Sequence, residues 1–230
     1  MTASGLPVSE PHDHSSRSRS EGDPFAPLRT RSWLTEAQRK AIHVASIILP
    51  LGILFEWLPW PRGRSQWRWF LIALTLGAVT IDLLRIHEHR VGRFFREFFG
   101  EMIREHERIS LLGSTYLLIA ALLAVEIFPR PVAAAALGFT VLGDTFAALV
   151  GKAWGRHRFF HKTLEGAAAG FAACLAWAAF LVGLGGLAWP VAIVGAVAAS
   201  LVEILPIPLD DNLGITLVSG YVMKLLLTPA

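Results

Sequence analysis

An aspartate stands inside an apolar run, Asp144 in LGFTVLGDTFAALVGKAW, and the chain then places Gly151, Lys152, Gly155, Arg156, His157, Arg158, His161 and Lys162 close behind it. An acid surrounded by hydrocarbon is costly, so its presence points to function. Glycines let backbone approach an anion closely, and Lys and Arg supply the positive charge that holds it. Thr163, with Glu165 and Gly166 after it, opens the next apolar stretch, and the amides at a helix start favour a phosphate. Packing is the competing explanation, because Gly151 with Gly155 and Gly166 with Gly170 form GxxxG pairs and basic residues flank many cytoplasmic loops. The acid within the run and the Lys-Thr at a helix start weigh toward an anion site.

A second cluster lies further on, in VEILPIPLDDNLGI. Pro206 and Pro208 stop one helix, and Asp210, Asp211 or Asn212 can cap the next. One cap does not need two adjacent acids, and Glu203 has no capping role. Carboxylates at the level of a basic, Gly-rich loop suggest Mg²⁺, which takes carboxylate oxygens together with substrate phosphates. Supporting charges stand at the same level. Arg39, Lys40 and His43 form RKAIH, with Arg39 and His43 on one helix face, while Asp82 with Arg85 and Arg104 with Glu107 are spaced as local ion pairs.

The elements that must position these residues follow from composition. The chain has 230 residues, 53% of them apolar and only 17% charged, and a mean hydropathy of +0.50. Soluble domains carry charge on about 25% of residues, so this is a membrane protein. One cysteine, Cys174, excludes a disulfide-stapled module, and the composition excludes a coiled coil or disorder throughout. The basic excess is expected to set topology, with no nucleic-acid partner.

Residues 1–38 are rich in Ser, Pro, Arg and acids and predict a disordered cytoplasmic tail with no signal peptide. Residues 39–230 predict one membrane-embedded domain. The fold class is all-α, a polytopic helical bundle of about seven transmembrane helices near 41–58, 67–84, 110–128, 131–151, 165–184, 187–205 and 213–228. Phe94, Phe95, Phe98, Phe99, Met102 and Ile103 recur at three- and four-residue spacing against charges within 85–109, which predicts one cytoplasmic interfacial helix. On that plan 16 of the 21 basic residues fall on the side of the N-terminus. The positive-inside rule makes that side cytoplasmic. The expected location is a bacterial inner membrane.

With these residues in place, the chain resembles the CTP-dependent lipid kinases: dolichol kinase, phytol kinase and the eukaryotic CTP-dependent diacylglycerol kinase. The resemblance covers about 39–225 and rests on RKAIH, REHERISLLGSTYLL, GDTFAALVGKAWGRHRFFHKTLEG and VEILPIPLDDNLGITLVSG in that order. It implies that Asp144, Gly151, Lys152, Gly155, Lys162, Thr163, Glu165 and Gly166 lie at a nucleotide site completed by Glu203, Asp211 and Asn212. It implies CTP as phosphoryl donor, Mg²⁺ as cofactor and a membrane lipid alcohol as acceptor. On this hypothesis Lys152, Arg156 and Lys162 balance the triphosphate and Asp144 and Asp211 hold the metal; either Asp144 or Glu203 could instead orient the hydroxyl as a base.

Two rival functions remain from the sequence. Phosphatidate cytidylyltransferases also use CTP and share a Gly-rich segment before a Lys-Thr, but their longer acidic pattern is missing here. A small ion or solute transporter could line a path with Asp144 and Glu203, yet it would need polar residues on both sides of the membrane, and here they gather on one.

Overall fold

The computed structural model describes residues 38–57, 59–99, 103, 106–160 and 162–227. The predicted tail falls outside this set. Eight helices carry the described chain: α1 (Gln38–Phe55), α2 (Gly63–His87), α3 (His89–Phe99), α4 (Gly113–Ile127), α5 (Arg130–Trp154), α6 (Leu164–Gly183), α7 (Trp189–Ile204) and α8 (Asp211–Leu227). A short antiparallel hairpin, β1 (Arg158–Phe159) and β2 (Lys162–Thr163), joins α5 to α6. The all-α expectation therefore holds apart from four residues of strand.

Each of the seven predicted apolar stretches is a helix, but they differ in reach. Four, α1, α2, α5 and α6, are long and apolar enough to cross a membrane. α4 and α7 are apolar but only 15 and 16 residues long, short of the ~20 that a bilayer core asks of a helix. Proline sets those limits: α4 ends just before Pro129, and α7 carries Pro190 in its first turn and ends before Pro206. Proline has no amide to donate and restricts the residue before it. The predicted interfacial helix is α3, which begins at His89 because α2 runs through His87; Met102 of the predicted face lies outside the described residues.

α5 is the hub. The most apolar window of α5 is 72% buried, against 22–39% for the other three long helices. It packs against α1, α6, α7 and α8. Small residues make this possible. Ala133, Ala134, Ala135 and Ala136 are fully enclosed, and a methyl on Gly138 would lie 2.0 Å from the Trp177 indole nitrogen, which donates to the Ala134 carbonyl at 3.2 Å. Helices in lipid associate through such close packing. α2 instead turns Leu74, Leu76, Ile81, Leu83 and Leu84 outward, as a helix facing acyl chains would.

The helix ends away from Asp144 are tied by two ion pairs and a hydrogen bond to backbone, made by groups that the sequence leaves unassigned. Arg130 meets Glu56 at 2.8 Å, Arg68 meets Glu126 at 2.5 Å, and Arg64 donates to the Phe128 carbonyl at 2.7 Å.

Two helices are locally irregular. Within α1 the helical bonding breaks at Ser46 and Ile47, four residues before Pro50, whose ring has no amide for the Ser46 carbonyl. Within α5 a wide π turn spans Phe139–Gly143 and ends at Asp144. Such a turn adds a residue to the helix and changes the rotation of everything after it. Thr140 braces it, bonding to the Ala136 carbonyl at 3.1 Å and to Thr216 of α8 at 2.7 Å.

Candidate active site

The π turn delivers Asp144 to α1. Lys40 is 3% exposed, and its Nζ lies 2.5 Å from Asp144 Oδ2 and 3.3 Å from the Asp144 carbonyl. His43, one turn further along α1, brings Nε2 to 3.5 Å from the same carboxylate oxygen. The RKAIH segment thus supplies two side chains to Asp144 across a sequence separation of about a hundred residues.

A second constellation forms around Lys162. β2 directs this lysine toward the end of α7 and the start of α8. Its Nζ contacts Glu203 Oε1 at 3.0 Å, Asp211 Oδ2 at 3.2 Å and the Glu203 carbonyl. Burial opposes the charge of Lys162, and the two carboxylates more than offset it, so its pKa is raised and it is an ammonium at neutral pH.

Helix starts locate the remaining parts. Asp210 caps α8, with its Oδ1 accepting from the Asn212 amide at 2.9 Å and from Asn212 Nδ2 at 3.0 Å. Asp211 is thereby released from capping. Asn212 Nδ2 also donates to the Gly113 carbonyl at 3.2 Å, and Glu107 Oε1 accepts from the Gly113 amide at 3.0 Å. A methyl on Gly113 would stand 3.3 Å from Glu107 Oε1 and 3.7 Å from Asn212 Nδ2. The glycine thus leaves room for both neighbours.

Behind this start of α4 lies the expected Asp82–Arg85 pair, at 3.1 Å and enclosed. Its reach exceeds a local ion pair. Arg85 also donates to the Glu107 and Ser110 carbonyls, at 2.9 and 2.8 Å, and Asp82 Oδ2 accepts from the Leu112 amide and the Thr115 hydroxyl, at 2.8 and 2.7 Å. Every member of the network is satisfied, as buried charge requires. Arg104, the predicted partner of Glu107, lies outside the described residues.

These parts converge on a cavity of about 290 Å³. Its charged and titratable lining includes Arg39, Lys40, His43, Glu107, Asp144 and Asp211. Apolar side chains share the lining: Ile42 from α1, Phe95 and Phe99 from α3, Ile103, and Leu112 with Leu117 from the start of α4. Asp211 belongs to both constellations, lining the cavity and accepting from Lys162.

The Gly-rich segment is placed differently. Gly151 and Gly166 face each other where α5 meets α6, and a methyl on Gly166 would lie 2.6 Å from the Ala147 carbonyl and 3.1 Å from the Gly151 Cα. Gly155 packs against Thr163 and the Gly151 carbonyl. Thr163 caps α6 by accepting from the Gly166 amide at 3.2 Å. Glu165 closes the hairpin, 2.6 Å from His157 Nδ1 and 3.2 Å from the His157 amide. Lys152 and Arg156 are exposed. From this segment Lys162 reaches Glu203 and Asp211, and the glycines bring the hairpin against α6 so that it can.

Sequence reasoning left open which of Asp210, Asp211 and Asn212 is the cap, and missed Gly113 and the α3 wall of the cavity. For Gly113 a signal exists, since Gly-Ser-Thr opens a predicted span. The wall formed by Phe95 and Phe99 carries no signal beyond the amphipathic pattern of α3.

Among the described residues no group of three or more His, Cys, Asp or Glu side chains forms a ready-made metal site. Mg²⁺ does not need one, because it is bound by one or two carboxylates plus substrate phosphates. Asp144 and Asp211, hard oxygen donors opening on one cavity, fit that demand.

No protein-family profile matches the chain, and no solved structure matches it. The chain is 26% identical over 151 residues to an uncharacterized protein of Rickettsia prowazekii, covering 64% of this chain and 71% of that protein. It is 26% identical over 166 residues to CTP-dependent diacylglycerol kinase 1 of Schizosaccharomyces pombe, covering 65% of this chain and 76% of that protein. The similarity is distant, and it is to a lipid kinase.

Proposed function

We propose that this chain is an integral membrane kinase that transfers the γ-phosphoryl group of CTP to the primary hydroxyl of a lipid alcohol, either an isoprenoid alcohol of the dolichol, polyprenol or phytol type or diacylglycerol. The observation that carries the reading is the cavity itself, which brings carboxylates and cations together with apolar and aromatic side chains in one lining. A lipid alcohol joins the same two kinds of surface, and the distant similarity to a CTP-dependent diacylglycerol kinase agrees with it.

The acceptor's hydrocarbon lies along Ile42, Phe95 and Leu117, and its hydroxyl meets Asp144. Lys40 and His43 fix the Asp144 carboxylate so that it orients the hydroxyl and takes its proton as the oxygen attacks the γ-phosphorus. The bond from that phosphorus to the bridging oxygen breaks, and CDP leaves. Glu203 stands outside the cavity and acts through Lys162, which it and Asp211 hold in place. Lys162, with Lys152 and Arg156 from the hairpin side, balances the phosphate charge. Asp211 would hold Mg²⁺, which when bound would supply charge neutralisation of the donor phosphates. The transition state of phosphoryl transfer is loose, so positioning and electrostatics suffice.

The concentration of 16 of 21 basic residues on the N-terminal side supports a cytoplasmic site; the membrane proposed is a bacterial inner membrane. The test is purified protein in lipid nanodiscs with CTP, Mg²⁺ and a panel of lipid alcohols, read as lipid phosphate formed. Activity on one of them that Asp144→Asn or Asp211→Asn reduces at least ~100-fold supports the reading. Full activity in either variant overturns the assignment of roles.

A further inference from the structure

At the helix ends away from Asp144 a cavity of about 170 Å³ opens between the ends of α1 and α4 and the starts of α2 and α5, lined among others by Glu56, Gly63, Arg64, Trp67, Phe128 and Arg130. About 20 Å of helix separates Arg130 from Asp144, so this cavity is remote from the first. Packing leaves three of its features unexplained. Trp67 is only 4% exposed, and its indole Nε1 is a buried donor with no acceptor among the described residues. Glu56 takes a φ of 47° at the C-cap of α1, left-handed backbone where a helix end usually has glycine. Its carboxylate accepts from the Gly63 amide at 2.6 Å and meets Arg130 at 2.8 Å. Arg64 donates to the Phe128 carbonyl at 2.7 Å, and among the described residues it has no carboxylate partner. Acids are scarce around it: residues 57–62 and 127–131 hold none, and Glu126 is taken by Arg68.

We propose that this cavity binds the phosphodiester of a membrane phospholipid in the leaflet away from Asp144, with Arg64 and Arg130 on its oxygens and the Trp67 N–H donating to one of them. Charge selects the headgroup. Glu56 balances Arg130, so the net positive charge comes from Arg64 and from the starts of α2 and α5, neither of which has an acid in its first turn. That matches the single negative charge of a phosphodiester better than the charge of about −1.5 to −2 on a phosphomonoester. Donors remain for it. A guanidinium has N–H groups on three nitrogens, and the bonds to Phe128 and Glu56 each use Nη2. The surroundings select a lipid over a free anion. Trp57, Trp60 and Trp69 stand exposed at the same helix ends, where amphipathic rings mark a membrane–water interface. A cavity of this size takes a headgroup and leaves the acyl chains outside, along the exposed Ile48 and Phe55 of α1. The bound phosphate then joins α2 to α5, the hub of the bundle. None of this rests on the kinase reading.

Native mass spectrometry of the full-length protein in detergent tests the site. The probe is dioleoyl phosphatidylglycerol, a phosphodiester lipid, with dimethyl phosphate and inorganic phosphate as soluble competitors. The expected result is a retained phosphatidylglycerol whose apparent Kd rises about tenfold in Arg64→Gln and in Trp67→Phe, which keeps an aromatic ring and removes the N–H. Arg62→Gln, nearby in the chain but outside the lining, should leave the Kd unchanged, and Arg64→Lys should fall between wild type and Arg64→Gln. Undiminished retention in the double variant Arg64→Gln with Trp67→Phe overturns the site. So does unchanged retention in both Arg64→Lys and Trp67→Phe, the milder pair that serves if Arg64→Gln does not fold. An equal loss in Arg62→Gln would make the effect one of general surface charge and also overturn it. Displacement by either soluble phosphate at equimolar concentration overturns the lipid assignment. No arm reads phosphoryl transfer, so failure here and failure of the kinase reading are separate results.

Discussion

Lys40 and Asp144 meet at 2.5 Å with their side chains 4% and 19% exposed, joining the first helix to the centre of the fifth in the lining of the cavity. Removing one partner of a buried ion pair strands the other, which costs about 3–5 kcal/mol, whereas replacing both by apolar groups of similar size is often close to neutral. Lys40→Met should therefore lower the unfolding midpoint in detergent and abolish activity. The double variant Lys40→Met with Asp144→Leu should recover most of the stability and none of the activity. Recovery of activity in the double variant would contradict the role given to Asp144.

The Asp82–Arg85 pair reaches no substrate group in the proposed mechanism, yet it holds the turn that leads to Gly113. Arg85→Met leaves Asp82 enclosed and two carbonyls without their donor, a loss of about 3 kcal/mol or more. Thermal unfolding should show a large drop, and retained activity at low temperature should show a raised KM for lipid, because Leu112 and Gly113 line the cavity.

Gly166 and the exposed cations of the neighbouring segment should separate cleanly. Gly166→Ala drives a methyl to 2.6 Å from the Ala147 carbonyl, and overpacking of this kind costs about 1–3 kcal/mol. Lys152→Gln and Arg156→Gln should leave the unfolding midpoint unchanged and raise the KM for CTP. The pair of measurements distinguishes the packing role of the glycines from the anion role of the cations.

The apolar cavity wall predicts a change confined to the acceptor. Leu117→Trp adds volume where the hydrocarbon of the lipid is placed, so the KM for lipid should rise about tenfold, an effect of roughly 1.4 kcal/mol, while the KM for CTP stays unchanged. A shift in CTP alone would move the acceptor out of this cavity.

Much of the chemistry is legible in the sequence because charge in an apolar chain needs a reason. Asp144, Lys162, Glu203 and Asp211 stand out individually, and the structure gathers them into two constellations that meet at Asp211. Partnership is not legible. Nothing periodic links Lys40 to Asp144 or Lys162 to Glu203, and both contacts depend on how helices pack and on a π turn whose residues, Phe139–Gly143, look like ordinary apolar helix. Gly151, Gly155 and Gly166 illustrate a real ambiguity, since close helix approach and close anion approach ask for the same residue. Apolar content marks seven helices, of which four are long and apolar enough to span; prolines limit α4 and α7 to 15 and 16 residues, and α8 runs for 17.

Kinase chemistry stands or falls on which phosphorus of CTP reaches the lipid. Purified protein is incubated with its lipid acceptor and with CTP labelled at either the γ- or the α-phosphorus, and the lipid fraction is counted. Phosphoryl transfer predicts γ-label in the lipid and α-label remaining in soluble CDP. Entry of α-label into the lipid, with release of pyrophosphate, would mean cytidylyl transfer and contradict it.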